Sequence, residues 1–584
     1  MKRRNVAAIA ATLSAALIVA GCSKNKGDDG AGDNGQYETR NSLIGTAEDS
    51  KGPAPEMPGG RKGGTITFLQ NNDFAHLDPA KVYVSTFSAT ANLIYRPLTT
   101  YKETLLPDGS IEMRLVGDLA VDPGKNVKND CTVWEFTLKD GLKYEDGSPI
   151  KAADIAYGVA RAFAPEAAAG PHYIQQWLAG DKNYNATYKG PYNGGAKVPP
   201  GVTVDGDKKI TFTFNSPHCD MPFAAAMTTT APVPEAKDTK EAYDSVPFSS
   251  GPYKIKSHTR GTSMELVRNE HWDPSTDATR HQYPDSFVWK FGSDIVATTN
   301  RLKTDEDPNM ATYAGVDPAQ SAAIWTDPAL RKRSIAGSTQ FVWYLNINTQ
   351  RVTDVNVRKA LNIAFDKTHY QQLNGGPPAG EIASTVMSPT TAGYKKFDAF
   401  GVPPAGDPEK AKTLLGGKSV KLTYAYGNTP VGQQIAAAIK EDLAKAGFDI
   451  ELVAVDAERY YDVIGDKANK YDFYISGWGA DWPLGSTIIP PTLDGREITD
   501  QGNYNSAYFD NAEVKTEIDR IMKLPVEQAA PEWAKLDQKI MTDYAPVVPL
   551  LYDGAFSLYG SNIGGAYLSK VSGCVNPASL FLKS

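Results

Sequence analysis

Strand-like and helical patterns alternate in the later part of the chain. Three short runs rich in β-branched and aromatic residues each predict a strand. Helical segments lie between them, and this alternation predicts a parallel sheet with helices on its faces. The strands are predicted at SVKLTYAYG (419–427), FDIELVAVD (448–456) and YDFYISGW (471–478), and the helices at 429–446 and 457–468.

The first of these helices carries signals at both ends. Thr429 is a favourable N-cap, and Pro430 suits the first turn because its missing N–H has no helical partner there. An apolar stripe at a spacing of four residues follows, and Gly447 ends the helix. The sequence therefore predicts both the start and the end of the helix between the first two strands.

The first half of the chain predicts further strands and helices. Period-2 alternation of Trp134, Phe136 and Leu138 predicts a strand within 132–148, and a helix is predicted from Ala152. The remaining predictions are a strand from Gly64, a helix over 83–96, loops over 165–200 and a hairpin in GVTVDGDKKITFTF (201–214).

The N-terminus has the layout of an export signal. The basic start MKRR precedes a short apolar run, and the ending VAGC resembles a lipobox. Cleavage would remove residues 1–21 and leave Cys22 as a lipidated N-terminus, anchored by more than one acyl chain on the extracytoplasmic face of the cell membrane. The alternative is a plain secreted protein cut a few residues later. Residues 22–62, poor in large apolar side chains, predict a flexible tether.

The charge and length of the chain argue against a nucleic-acid-binding protein and against a fold with a single core. The formal net charge is −8, and removal of residues 1–21 would bring it to −11, with 57 basic and 68 acidic residues. The chain has no basic tract, which argues against a nucleic-acid partner. Residues 63–584 are too many for one core, so two or more lobes are expected. No second long apolar run occurs, so nothing else is expected to enter the membrane.

Three cysteines remain beyond the export signal and Cys22. Cys131 precedes one strand-like run and Cys219 follows another. If those strands pair antiparallel, the start of one lies beside the end of the other. We therefore predict a disulfide between Cys131 and Cys219, with Cys574 unpaired, since an exported protein can hold a disulfide. The alternative is three free thiols.

The stretch GWGADWPLGS (477–486) begins where the third parallel strand is predicted to end. Ligands of open parallel sheets bind beyond the carboxyl ends of the strands, so the position is that of a site. Asp481 stands between Trp478 and Trp482. Indoles supply large rigid walls and attract cations over their faces. The alternative is an aspartate that caps a local turn, with both tryptophans in a core.

Several segments together resemble the peptide-binding family of extracellular solute-binding proteins, the receptors of peptide ABC importers. The resemblance runs from about residue 63 to the C-terminus. The matching segments are GGTITFLQNNDFAHLDPA, WEFTLKDGLKYEDGSPIKAADIAYGVARAF, SSGPYKI, LVRNEHWDP, VTDVNVRKALNIAFDK and YDFYISGWGADWP.

The resemblance implies an α/β fold, a two-lobed periplasmic-binding-protein-like clamshell with an extra subdomain in the first lobe. The hinge would lie near 337 and 548, and the closed form would be read by a membrane permease. The implied parts are lobe I at 63–100, 249–337 and 549–584, the inserted α/β subdomain at 101–248, and lobe II at 338–548.

The resemblance also implies which residues hold the ligand. The aspartate of the GW-x-x-D segment pairs with the α-ammonium of a peptide in such proteins, and Asp481 matches it. Trp478, Gly479 and Trp482 are expected beside it. Tyr83 and Val84, in or after the loop that lines the cleft, are candidate contacts, as is Tyr344 on the first strand after the hinge.

Other chemistry has weaker support in the sequence. Arg358, in a helix that Asp354 is expected to cap, could reach a ligand carboxylate, although a packing role is favoured. The chain has no HExxH, CxxC or GxSxG motif, so no metal, no cofactor and no catalysis is expected. We expect a monomeric peptide receptor. A sugar-binding receptor, consistent with 29 tyrosines and 9 tryptophans, is the alternative, and an extracellular hydrolase is disfavoured.

Overall fold

The computed structural model describes residues 39–106, 111–186, 188–192, 194–313 and 315–584. The predicted export signal, the predicted lipid site at Cys22 and the start of the predicted tether lie outside the described residues.

The strands, in chain order, are β1 (Thr39–Ile44), β2 (Thr65–Leu69), β3 (Thr99–Leu105), β4 (Ile111–Gly117), β5 (Lys125–Asn126), β6 (Val133–Thr137), β7 (Val202–Asp205), β8 (Lys209–Thr213), β9 (Tyr253–Thr259), β10 (Ser263–Arg268), β11 (Ser286–Lys290), β12 (Met310–Thr312), β13 (Ser334–Ile347), β14 (Gly380–Ile382), β15 (Val420–Gly427), β16 (Phe448–Val455), β17 (Phe473–Gly479), β18 (Val547–Leu558), β19 (Ile563–Gly564) and β20 (Phe581–Leu582).

The helices are α1 (Ser85–Ile94), α2 (Ala152–Arg161), α3 (Tyr173–Ala179), α4 (Met221–Ala224), α5 (Ile295–Lys303), α6 (Pro318–Thr326), α7 (Pro328–Arg331), α8 (Val355–Ala364), α9 (Lys367–Leu373), α10 (Pro408–Leu414), α11 (Pro430–Ala444), α12 (Tyr460–Ile464), α13 (Ile489–Leu493), α14 (Ala512–Ile521) and α15 (Val526–Lys539).

A six-stranded sheet contains the region that the sequence predicts most clearly. Its order is β14-β18-β13-β17-β15-β16, and β15 pairs in parallel with both β16 and β17. The predicted parallel unit is therefore confirmed. Thr429 caps α11 by accepting a hydrogen bond from the N–H of Gly432 at 3.0 Å, and Asp354 caps α8 through the N–H of Asn356. The second predicted helix is shorter than expected, since α12 follows a 3₁₀ turn.

A five-stranded sheet, in the order β12-β2-β11-β10-β9, forms the other large layer. Its core is aromatic: Phe68 and Trp289 are fully buried, with ring centroids 5.0 Å apart. Strands β13 and β18 pair antiparallel along most of their length and link the two layers. Ile335 at one end packs in the core of the five-stranded sheet, while Leu345 near the other end packs in that of the six-stranded sheet.

A four-stranded sheet, in the order β5-β6-β8-β7, carries the disulfide. Strands β6 and β8 pair antiparallel, with Val133 opposite Thr213. The bridge between Cys131 and Cys219 is present, with Cα atoms 4.9 Å apart, and Cys574 is free. Both cysteine predictions are confirmed, as is the hairpin of β7 and β8.

We expect the disulfide to stabilise the folded chain substantially, because it closes a segment of 88 residues in the unfolded state. Replacing Cys131 and Cys219 together by serine should lower the free energy of unfolding by about 2–4 kcal/mol in denaturant titration. Reducing agent should destabilise the unaltered protein similarly and leave the double variant unaffected. Equal stability of the two proteins under oxidising conditions would contradict this role.

Residues 39–62 correct the predicted tether. Strand β1 pairs in parallel with β4, and Ser50 is fully buried, with its hydroxyl accepting from the N–H of Gly117 at 2.8 Å. The ammonium of Lys139 donates to the carbonyl of Ser50 at 2.7 Å. These residues are held by strand pairing and polar contacts. The tether was predicted because the segment is poor in large apolar side chains, and that composition gives no sign of such backbone and polar interactions.

The predicted loops over 165–200 are wrong in part. Helix α3 lies within them and ends at Gly180, whose φ of 67° is the left-handed conformation of a helix C-cap. Tyr173 and Trp177 stand four residues apart on this helix. That spacing was the available signal, and the surrounding glycines and prolines concealed it.

A buried ionic cluster joins the end of α1, the end of β4 and the segment before β11. The Arg96 Nε donates to Asp118 at 2.7 Å, and the Arg280 guanidinium donates to the other oxygen of Asp118 at 2.6 Å. Asp277 accepts from Arg280 at 3.0 Å. The side chains of Asp118 and Arg280 are 0% exposed. Each charge therefore depends on its partners.

Candidate functional site

A cavity of about 220 Å³ lies where at least five separate segments of the chain meet. Its walls come from the region of α1 and β3, from the residues after α4, from β13 and the end of β17, and from the segment before β20. Its ionisable and aromatic lining residues include Tyr83, Tyr101, Glu103, Phe341, Asp481 and Tyr567.

Asp481 follows the carboxyl end of β17, the edge at which parallel sheets bind ligands. Its carboxylate accepts hydrogen bonds from the hydroxyl of Tyr83, at 3.2 Å, and from that of Tyr173. Both donors are neutral. Within the described residues, no lysine, arginine or histidine lines the cavity. The carboxylate is thus held in place by hydroxyl groups and has no positive charge beside it.

Burial raises the pKa of Asp481 to about 6, and the bonds from Tyr173 and Tyr83 oppose that rise only in part. Burial also raises the pKa of both tyrosines, so they remain hydrogen-bond donors. A cation placed in the cavity would favour the ionised form of Asp481. The arrangement suits the recognition of a positively charged group.

Gly479 has a defined reason to be glycine. A β-carbon at this position would lie 2.5 Å from the ring of Phe341 on the neighbouring strand β13. The absence of a side chain lets that ring stand against the end of β17 and form part of the cavity wall. Gly479 therefore shapes the site through its backbone.

The structure corrects the predicted role of both indoles. Trp482 is 2% exposed, packs edge-on against Tyr173 at 4.6 Å and donates to Asp220 at 3.2 Å, so it lies in the core. Trp478 donates to the carbonyl of Thr487 at 2.6 Å and does not line the cavity. The apolar area of an indole is more easily buried against the protein itself, and this is what occurs here.

Three further candidates lie away from the cavity. Tyr344 is 3% exposed, and its hydroxyl donates to the carbonyl of Val386 at 2.6 Å. It lies in the hydrophobic core on one face of the six-stranded sheet. Val84 is 60% exposed and outside the cavity wall, whereas Tyr83 lines it. Arg358 donates to three backbone carbonyls, one of them that of Tyr544 at 2.9 Å, which is the favoured packing role.

Sequence reasoning missed Tyr173, which donates to Asp481 from outside the cavity lining, and the lining residues Glu103 and Tyr101. Tyr173 was hidden in the supposed loops, and Glu103 and Tyr101 had no local motif. The hydroxyl of Tyr101 and the Oε1 of Gln340, both buried in the cavity wall, have no hydrogen-bond partner in the protein. Such buried polar atoms favour a polar ligand that would satisfy them.

Among the described residues, no group of three or more His, Cys, Asp or Glu side chains could hold a metal ion. No helix within the described ranges has the length and apolar character needed to cross a membrane.

Comparison with known proteins places the chain in a family. The profile of the bacterial extracellular solute-binding proteins, family 5, in its middle region, matches residues 114–500. The chain belongs to solute-binding family 5. This family 5 protein is 22% identical over 500 residues to the dipeptide-binding protein DppE of Bacillus subtilis, covering 81% of this chain and 85% of the relative.

Two solved structures resemble this family 5 protein in fold. The clavulanic acid biosynthesis oligopeptide binding protein 2 aligns with a TM-score of 0.81 and 26% identity, covering 92% of this chain and 100% of the other. The DppA protein of Helicobacter pylori, in complex with the peptide STSA, aligns with a TM-score of 0.67 and 18% identity, covering 90% and 99%. The predicted family resemblance and the predicted two-lobed α/β fold class are confirmed.

Proposed function

We propose that this protein is the peptide receptor of an ABC importer, and that Asp481 binds the α-ammonium of the captured peptide. The observation that carries the proposal is the Asp481 carboxylate itself, set in a cavity at the end of β17 with only neutral donors beside it. Every peptide with a free N-terminus offers an ammonium. A carboxylate can bind that ammonium whatever side chains the peptide carries.

The relatives support a peptide as the cargo. DppE is named as a dipeptide-binding protein, and the first solved relative as an oligopeptide binding protein. In this reading Tyr83 positions the carboxylate and Gly479 shapes the wall beside it. The protein would bind and release its ligand and would perform no chemistry on it.

We further propose how the receptor is built and where it works. Lobe I would comprise 63–100, 249–337 and 549–584, with a subdomain at 101–248, and lobe II would comprise 338–548. The ends of strands β13 and β18 pack in two different cores, which supports a hinge along these strands. Gly337 lies opposite Ala555 and Leu345 lies opposite Val548, so the crossing on β18 that accompanies residue 337 is nearer 555 than 548.

The lipobox-like VAGC supports an anchor at Cys22 on the extracytoplasmic face of the membrane, from which a monomer would pass peptides to the permease. Ligand capture would shift the lobes from an open to a closed arrangement.

The cargo class can be identified directly. The mature protein is titrated with a mixed peptide library, the bound fraction is separated, and the captured species are identified by mass spectrometry. We expect free-amine peptides to be enriched over their N-acetylated counterparts. Capture of oligosaccharides from a parallel sugar library, with no peptide retained, would overturn the proposal in favour of a sugar receptor.

The affinity for peptide should depend on pH in a defined direction. The ionised form of Asp481 binds the ammonium, and its pKa near 6 means that protons compete below that value. A peptide α-amino group stays protonated in this range. Calorimetry should therefore show an affinity for a free-amine peptide about tenfold lower at pH 5 than at pH 7. An N-acetylated peptide is the control, and the same pH profile for both peptides would argue against Asp481 as the titrating group.

A further inference from the structure

A second chamber, of about 540 Å³, adjoins the cavity that holds Asp481. Phe341 and Ser572 line both spaces, so the two are neighbours across the ring of Phe341. The wall of the second chamber is formed by β13 and β18, by residues near α6 and α9, and by the segment that contains Cys574. The proposed function assigns this space no role.

Asp553, on β18, is the ionisable acid of this chamber. One carboxylate oxygen accepts from the Nε1 of Trp343 at 3.0 Å, and the other accepts from the hydroxyl of Thr339 at 2.9 Å. Both donors are uncharged. Burial raises the pKa of Asp553, while these two bonds lower it. The carboxylate is thus oriented by the protein and not neutralised by it.

The rest of the chamber wall fits a cation. Within the described residues, no lysine, arginine or histidine lines it. Trp343, Phe341 and Tyr370 place aromatic groups around Asp553 in the same wall. An aromatic ring face attracts a cation, and a carboxylate in a partly dry space attracts it more strongly.

The two spaces share one electrostatic character. Asp481 and Glu103 line the first and Asp553 lines the second, and within the described residues no lysine, arginine or histidine lines either. Burial raises the pKa of Glu103 and the nearby Lys570 opposes that rise, so Asp481 and Asp553 are the acids on which the argument depends. The buried Oε1 of Gln340, in the wall of the first space, also lacks a partner and is an acceptor. The carboxylates of Asp481 and Asp553 and the Oε1 of Gln340 can therefore accept hydrogen bonds from a ligand. The two carboxylates would attract a positive charge on it and repel an acidic side chain.

We infer that the second chamber is a subsite for a cationic side chain, a lysine or arginine that follows the first residue of the bound peptide, with Asp553 as its charge partner. The inference rests on the proposed function, because it takes the ligand to be a peptide whose ammonium lies at Asp481. The receptor would then select basic peptides among the many that offer an ammonium.

The test compares peptides that differ only in charge. Short free-amine peptides carry either lysine or norleucine, which has a chain of similar length and no charge, at position two, three or four. Calorimetry on the unaltered protein should show lysine binding at least about tenfold more tightly at one of these positions. No preference for lysine at any position would overturn the inference, and this comparison needs no variant.

A variant then assigns the preference to Asp553. Asp553→Asn keeps an acceptor oxygen for Trp343 and can donate its amide NH2 to the hydroxyl of Thr339, but it removes the charge, so the ratio of lysine to norleucine affinity should fall below about threefold. Glu441→Gln, an exposed residue of α11 outside both spaces, changes the net charge equally and should keep the full ratio. A ratio that survives in Asp553→Asn would overturn the assignment.

The results separate the two proposals. If peptides of both kinds bind and lysine gives no advantage, the subsite is wrong and the peptide receptor stands. If no peptide binds, both are wrong.

Discussion

Asp481→Ala is expected to lower the affinity for a free-amine peptide by about 30-fold to several-thousand-fold, a loss of about 2–5 kcal/mol of binding free energy. The variant would leave the peptide ammonium buried beside the hydroxyls of Tyr83 and Tyr173, without a negative charge to pair with it. Titration calorimetry at pH 7 measures the loss directly. The effect is large because the group left behind is a desolvated charge.

The control for this variant is the same peptide with an acetylated N-terminus. It carries no ammonium, so Asp481→Ala should change its weaker binding by only a small factor. Glu441→Ala, on the exposed face of α11, serves as the matched charge change. Equal losses for the free and the acetylated peptide would mean that Asp481 supports the wall of the cavity and does not recognise the ammonium.

Asp118→Ala is expected to lower the free energy of unfolding by about 3–5 kcal/mol, the largest loss of stability among the variants proposed for this protein. Asp118 accepts from Arg96 and from Arg280, and its side chain is 0% exposed. Its removal leaves two guanidinium groups buried with Asp277 as their remaining acid. Denaturant titration with a two-state check on the unfolding curve measures the change.

An exposed ion pair provides the comparison. Asp140, whose side chain is 91% exposed, pairs with Lys208 at the surface. Asp140→Ala should change stability by less than about 1 kcal/mol, since water screens such a pair. If both variants lost the same stability, burial would not be what makes the Asp118 cluster important.

Local patterns predicted the parts of this fold that depend on neighbouring residues. The capping pair of Thr429 and Pro430 and the strands on either side defined the unit from β15 to β17. The disulfide followed from one further assumption, that β6 and β8 pair antiparallel. In each case the interactions that decide the structure are close in sequence or set by one strand pairing.

The environment of the site could not be predicted in this way. The two hydroxyl donors to Asp481 belong to Tyr83 and Tyr173, 398 and 308 residues away along the chain. Which residues meet there depends on how the cores pack. The burial of the Trp482 indole against Tyr173 could not be foreseen either, because helix α3, which carries Tyr173, was not predicted. Trp482 was therefore expected at the ligand. Position at a strand end located Asp481, and only the packing revealed its partners.

The most direct measurement is a crystal structure of the protein with a bound free-amine peptide. We predict the α-nitrogen of the peptide within hydrogen-bonding distance of the Asp481 carboxylate, in the cavity beside Phe341. A peptide bound with its α-nitrogen elsewhere, and Asp481 still satisfied only by Tyr83 and Tyr173, would contradict the account.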